Sequence, residues 1–228
     1  MNPWLPAAVA VILVLAANGA VRGEELALKD SCRLPDPARN VVRGTFEGRT
    51  AIRFTLGLDD TGTCPADIRR GGYNRAELRS IENLPRDRTV TIGFDVFIPQ
   101  GFAATAGIAL GQFHQVDGPP LILLMASGED YRVTTGSGLR ALGAKVASRR
   151  HLFETKDFGR WHRIEMAARF SRGENGFIRV NANGATRFEA RGPTVRTEPY
   201  FKIGLYGRRD RMTGTLTAYV TPPEITVE

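Results

Sequence analysis

Turn residues cut this chain into short pieces, and no piece has the regular apolar period of a helix longer than about three turns. Gly and Pro together supply 38 of the 228 residues, 25 Gly and 13 Pro. Between them run short stretches in which apolar and polar residues alternate, such as TAIRFTLGL over 50–58 and TVTIGFDVFI over 89–98. Alternation with period two is the mark of a half-buried strand. Asn183-Gly184, set between 177–182 and 185–189, is the strongest short hairpin signal. Similar stretches at 40–46, 75–80, 107–115, 121–126, 131–135, 161–170, 200–206, 216–220 and 224–227 bring the total to about a dozen strands. The expectation is an all-β chain, a β-sandwich or jelly roll of the concanavalin-like kind, in one domain.

One segment stands apart. Leu5 to Ala17 is continuously apolar and is followed by small residues up to Gly23. A membrane-spanning helix needs about 20 apolar residues, so this shorter run reads as a signal peptide over 1–23, with cleavage after Ala20 or Gly23. Residues 24–228 then form the mature domain, secreted or periplasmic, expected as a monomer and free of membrane after cleavage. Export also decides the reading of Cys32 and Cys64, the two cysteines of the chain. In an oxidising compartment they are expected to form one disulfide. It closes a loop of about 30 residues, worth roughly 3–4 kcal/mol in the chain-entropy model. Their spacing, with no His pair nearby, makes a poor zinc site. No metal or cofactor is expected.

The formal net charge is +7. Arg22 is the one charged residue ahead of Glu24, so the mature chain keeps 30 basic and 24 acidic residues, net +6. A basic exported protein suits a polyanionic partner. Nucleic acid is not the expected one, because single-strand binders interleave aromatic residues along a basic face, and Tyr200 and Tyr206 near Lys202 make too thin a case.

Strand parity says which residues can share a surface. Gln112 and His114 point one way from 111–115, and Phe113 the other. In 200–206, Phe201, Ile203 and Leu205 make an apolar row; Tyr200, Lys202, Gly204 and Tyr206 make the opposite row, with Gly204 leaving space. In 74–79, Arg75, Glu77 and Arg79 oppose Ala76 and Leu78. If these strands neighbour one another, the polar rows form one surface with the ingredients for β-elimination on a uronic acid. The C5 proton of a uronate lies α to a carboxylate and is weakly acidic. Arg and Gln can stabilise the charge that develops on the carboxylate, His or Tyr can take the proton, and Tyr can protonate the leaving oxygen.

The order Asn74-Arg75-Ala76-Glu77-Leu78, Gly111-Gln112-Phe113-His114, Gly159-Arg160-Trp161-His162, Gly176-Phe177-Ile178-Arg179-Val180 with Asn183-Gly184, and Tyr200-Phe201-Lys202-Ile203-Gly204-Leu205-Tyr206 resembles the heparin lyase I-like polysaccharide lyases. That group includes glucuronan lyases with a β-jelly-roll fold. The resemblance runs from about residue 43 to the C-terminus. It implies that His114 is the base or shares that work, and that Tyr206 is the general acid, or both acid and base. A Tyr acting as base needs a positive neighbour, and Lys202 on the same face could supply it. The resemblance further implies that Arg75 and Gln112 hold the uronate carboxylate, that Lys202 binds the polymer near the cleaved bond, and that Tyr200 belongs to the same binding row. Glu77 is expected to orient Arg75 through an ion pair. Trp161 and His162 read as structural, Trp161 with the parity of core positions.

The function implied is cleavage of an acidic, uronic-acid polysaccharide by β-elimination. The alternative is a non-catalytic carbohydrate-binding sandwich of the same fold. A sandwich glycoside hydrolase would need paired carboxylates across the glycosidic bond, and the E-x-D-x-x-E arrangement is absent.

Overall fold

The computed structural model describes residues 23–146 and 151–228, so the apolar segment read as a signal peptide lies outside the described residues. Seventeen strands follow in chain order among the described residues. The first part of the chain gives β1 (Glu24–Glu25), β2 (Leu28–Asp30), β3 (Val41–Phe46), β4 (Arg49–Leu56), β5 (Tyr73–Ser80), β6 (Thr89–Phe97), β7 (Ile108–Gln115), β8 (Ile122–Ala126) and β9 (Asp130–Thr135). The second part gives β10 (Lys145–Val146), β11 (His151–Glu154), β12 (Trp161–Arg169), β13 (Phe177–Ala182), β14 (Ala185–Arg191), β15 (Pro199–Arg208), β16 (Leu216–Val220) and β17 (Glu224–Val227). Three short helices interrupt them: α1 (Pro37–Asn40), α2 (Pro65–Arg70) and α3 (Ser137–Ala141). No described helix is long and apolar enough to cross a membrane.

The strands build two antiparallel sheets. One runs β10-β14-β13-β12-β6-β16-β4-β3, with β17 pairing to β6 and β1. The other runs β11-β9-β8-β7-β15-β5-β2. The β-sandwich expected from the alternating pattern is therefore the fold. The inner faces meet through Ile52 and Phe54 of β4, Ile92 and Phe94 of β6, Phe113 of β7 and Phe201 and Ile203 of β15, all buried. Phe94 and Phe201, from opposite sheets, have ring centroids 6.0 Å apart, and Phe113 meets Phe170 edge-on at 5.0 Å. Each such side chain contributes roughly 1.5–3 kcal/mol by leaving water.

Two hairpins follow their turn residues. Asn183 and Gly184 both adopt positive φ, 50° and 78°, as a two-residue turn of the right twist requires. Glu47 and Gly48 do the same between β3 and β4. The segment 59–73, read as a loop, carries α2, which begins on Pro65 and stops at Gly71 with φ 64°. The connector 151–160 carries β11 and a single 3-10 turn.

The expected disulfide is formed. Cys32 and Cys64 are bonded, with their Cα atoms 5.5 Å apart. The bond ties the residues just past β2, at the edge of the second sheet, to the residue that precedes α2.

The placement of Trp161 corrects the sequence reading. In β12 the buried set is His162, Ile164, Met166 and Ala168, and Trp161 lies on the outer face with Arg163 and Glu165. Its bulk is accommodated there by an aromatic group made with Phe46, Phe97 and Tyr219, with the Arg49 guanidinium 5.3 Å from its ring centroid. His162 takes the core position instead. Its Nε2 lies 2.8 Å from the Asp157 carbonyl, its Nδ1 2.9 Å from Asn183 Nδ2, and its ring stacks on Phe153 at 4.1 Å. The structural reading of this motif therefore holds for His162, with parity exchanged.

Candidate active site

Three neighbouring strands of the second sheet, β7, β15 and β5, carry the expected polar rows on its outer face. Register puts Tyr200 opposite His114, Lys202 opposite both Gln112 and Arg79, and Tyr206 opposite Arg75. Gln112, Lys202 and Glu77 therefore lie between His114 and Tyr206 along the sheet. A bulge on β15 between Ile203 and Tyr206 adds a residue against β7. Bulges of this kind bend a strand and re-aim its side chains. Gly204 sits in this bulge at φ 130°. A β-carbon there would collide with the Ala76 carbonyl, so backbone geometry, more than space on the polar face, demands glycine.

Two cations of the face, Arg75 and Lys202, are held by two buried carboxylates. Glu77 pairs with the Arg75 guanidinium, bonds Lys202 Nζ at 3.2 Å and accepts from Gln112 Nε2 at 2.5 Å. Its expected role beside Arg75 is present and is wider than expected. Asp67 of α2 receives Arg75 Nε at 2.8 Å and a second guanidinium nitrogen at 3.0 Å, a bidentate pair. Tyr206 donates its hydroxyl proton to the same carboxylate, Oη to Oδ1, at 3.1 Å. The Arg75 guanidinium also lies 3.9 Å from the Tyr206 ring centroid, and Tyr73 stacks on that ring at 5.4 Å. Arg75, Glu77, Asp67, Gln112 and Lys202 are all buried.

The other end of the row is more open. His114 is half-buried and stacks on Tyr200 at 5.0 Å. Its Nδ1 lies 2.9 Å from the Gln115 carbonyl. Nδ1 also lies 2.9 Å from the Gln115 backbone nitrogen. The tautomer that donates to the carbonyl frees the Nε2 lone pair for an incoming proton, and the tautomer that accepts from the N–H does not. Arg79 places its guanidinium 4.2 Å from the Tyr200 centroid. Arg79 has no carboxylate within ion-pair distance among the described residues, in contrast to Arg75 and Lys202.

These surroundings push the two candidate proton carriers apart. Burial and the positive charge of Lys202 pull His114 down to about 4, so the imidazole is neutral at neutral pH. Burial and the Asp67 carboxylate push the Tyr206 phenol above its ordinary value, against the pull of Arg75. Lys202 does not depress Tyr206; its ammonium goes to Glu77. Burial would raise Glu77, but Lys202 and Arg75 outweigh it and hold the carboxyl below its usual range.

All six expected site residues, His114, Tyr206, Arg75, Gln112, Lys202 and Tyr200, thus share one face. Two further residues were not assigned roles from sequence. Arg79 was on the correct parity. Asp67 had no such signal: in the first turn of a short helix it reads as an ordinary N-terminal acid. Among the described residues, no three His, Cys, Asp or Glu side chains converge as metal ligands would.

The sequence profile of a family described as polysaccharide lyase matches residues 16–221. No curated protein matches the sequence. Among solved structures, the chain is similar to an endo-β-1,4-glucuronan lyase from the fungus Trichoderma reesei, with 14% identity, 90% of this chain and 93% of that one covered, and a TM-score of 0.62. It is also similar to an alginate lyase of polysaccharide lyase family 7, with 19% identity, 82% of each chain covered and a TM-score of 0.58. An alginate lyase from a Chlorella virus gives 16% identity, coverage of 90% and 93%, and a TM-score of 0.53. At these identities the likeness speaks to the sandwich fold.

Proposed function

Because this chain belongs to the polysaccharide lyase family, we propose that it cleaves a uronic-acid polymer by β-elimination, with His114 as base and Tyr206 as acid. The observation that carries the reading is the register that sets His114 and Tyr206 on one face with Gln112, Lys202 and Glu77 between them. Burial and neighbouring charge favour the neutral imidazole and the protonated phenol. Groups whose surroundings push their proton affinities in opposite directions are natural partners for removing one proton and delivering another.

His114 Nε2 takes the C5 proton. The C5–H electron pair becomes the C4=C5 double bond, the C4–O4 bond breaks with its pair on O4, and Tyr206 passes its proton to O4. The proton on His114 then returns to the Tyr206 phenolate through solvent. Negative charge builds on the uronate carboxylate during the first step; Arg79 and Lys202 supply the local positive field, and Gln112 offers its remaining amide N–H. Arg75, held by Asp67 and Glu77, adds to that field from within the row. Tyr200 provides a ring for the sugar face beside His114.

Uronate polymers are the substrate class because the solved relatives are named for glucuronan and alginate and because a net positive chain favours a polyanion. Kinship with heparin lyase I in particular rests on the motif order alone. The reading includes export, supported by the disulfide, and action as a monomer. The test is incubation with glucuronan, alginate and glycosaminoglycans, following the absorbance of the unsaturated uronate product. Binding of these polymers with no unsaturated product would replace the lyase by a binding module.

A further inference from the structure

Tyr206 sits between two charges of opposite sign, and the balance between them decides its role. The Arg75 guanidinium, 3.9 Å from the ring centroid, favours the phenolate. Alone it would make Tyr206 a candidate base. The Asp67 carboxylate accepts the phenol proton at 3.1 Å and binds Arg75 through two nitrogens. It therefore opposes the phenolate directly and neutralises the cation that would favour it.

The fold delivers Asp67 to this point by several independent contacts. Cys64 precedes α2 and is bonded to Cys32. On the Cys32 side, Ser31 N donates to the Glu77 carbonyl at 3.0 Å, so the disulfide is anchored on β5 itself. Thr63 Oγ1 donates to the Arg33 carbonyl at 2.6 Å. Gly62 N donates to the Tyr73 carbonyl at 2.7 Å, and a β-carbon on Gly62 would collide with the Asp67 carboxylate. Asp67 itself is 2% exposed. A buried acid held this tightly is not a solvated helix-terminal charge.

We infer that Asp67, carried on the disulfide-pinned helix α2, is a positioning residue that orients the Tyr206 hydroxyl and fixes Tyr206 as the proton donor. The inference rests on the lyase reading for the use made of that proton. The charged and titratable groups around Tyr206 are Asp67 from α2; Arg75, Glu77 and Tyr73 from β5; and Lys202 and Arg208 from its own strand, with Arg208 paired to Asp210. On the β7 side its partner is Ala109, which carries no charge. Asp67 is thus the carboxylate in direct contact with the phenol, and its removal weakens the opposition to the phenolate while Arg75 stays against the ring.

The test is Asp67→Asn, which keeps the side chain's shape and removes its charge. Tyrosinate absorbance is followed against pH, with the matching Tyr206→Phe protein subtracted and circular dichroism confirming the fold at each point. The Tyr206 phenolate is expected at least about one pH unit lower than in wild type, the size of effect a single close charge produces. Asp67→Ser, which also removes the charge, is expected to shift the same way, and this arm decides the matter if the Asn variant does not fold. With polymer as substrate, the alkaline limb of kcat should move down by a similar interval while KM at neutral pH changes less than about threefold. A lower melting temperature with an unmoved Tyr206 titration would overturn the inference, leaving Asp67 a purely structural partner of Arg75. A shifted titration in a protein that makes no unsaturated product would count against the lyase reading and for the Asp67–Tyr206 contact.

Discussion

The two ends of the polar face are built in opposite ways. At the Tyr206 end every strong donor already has a partner: Arg75 is divided between Asp67 and Glu77, Lys202 and Gln112 are bonded to Glu77, and all five are buried. At the His114 end the half-buried His114 stacks on the buried Tyr200 ring, and the half-buried Arg79 guanidinium lies over that ring with no carboxylate at ion-pair distance among the described residues. The contrast separates two jobs that the residue types alone do not. A saturated, desolvated network sets the field and the geometry. A guanidinium bonded through Nε to the Ser80 carbonyl but with no carboxylate partner among the described residues is available to an anionic ligand. A buried guanidinium already held by two carboxylates meets a substrate carboxylate only by exchanging a partner, whereas Arg79 can meet one directly.

The largest effects are expected at the two candidate proton carriers. Tyr206→Phe and His114→Ala should each lower turnover by roughly 10²–10⁴-fold, the usual worth of a positioned acid or base. Polymer binding by Tyr206→Phe should survive, since only the transferable proton is gone. Initial rates of unsaturated-product formation together with a binding isotherm check this, and near-normal rates in both variants would remove the assignment.

Next in size is the saturated end. Glu77→Ala leaves Arg75 and Lys202 short of their shared partner inside the protein, and breaking a buried ion pair from one side costs about 3–5 kcal/mol. Urea unfolding of the variant should register that loss. A change below about 1 kcal/mol would mean the network is wetter and weaker than its burial implies.

The open end should respond differently. Arg79→Ala is expected to raise KM by about tenfold or more, as loss of a charge-assisted contact of roughly 1.5–3 kcal/mol would. Its unfolding midpoint should stay close to wild type. If Arg79→Ala behaved like Glu77→Ala, falling in stability with unchanged KM, the division of the face would be wrong.

The smallest effect concerns pH. With His114 drawn down to about 4, the base stays neutral far below the ordinary imidazole range. The acid limb of kcat/KM should therefore lie near pH 4, and a limb near 6.5 would show that His114 is better solvated than its surroundings suggest. The same shift has a stability consequence. A histidine whose folded value is depressed contributes stability above its unfolded value, near 6.5, and that contribution is lost as pH falls from there through about 4.

Much of this was legible in the chain itself. Period-two alternation gave the sandwich because it leaves each strand one apolar face to bury. The same parity collected His114, Gln112, Arg75, Lys202, Tyr200 and Tyr206 on one surface, since side-chain direction along a strand is a local property. Asn183-Gly184 specified its hairpin for an equally local reason. The pairing of Cys32 with Cys64 followed because the chain offers no other choice. At Trp161 the core parity expected from the sequence was the wrong one. Trp161 shares its side of β12 with Arg163 and Glu165, and finds its packing in an outer aromatic group assembled from three other strands.

What only the tertiary structure decided is which charge meets which. Glu77 and Arg75 are two residues apart, but Lys202 reaches Glu77 across 125 positions and Tyr206 reaches Asp67 across 139. Such contacts depend on the register between β5, β7 and β15 and on the path of α2 beneath its disulfide. No local pattern encodes them. Sequence therefore determined the face and the kinds of group on it. The folded chain determined which cations are already occupied, which is open, and on which side of its ordinary proton affinity each catalytic candidate rests, because burial and through-space charge belong to the assembled sheet and not to the strand.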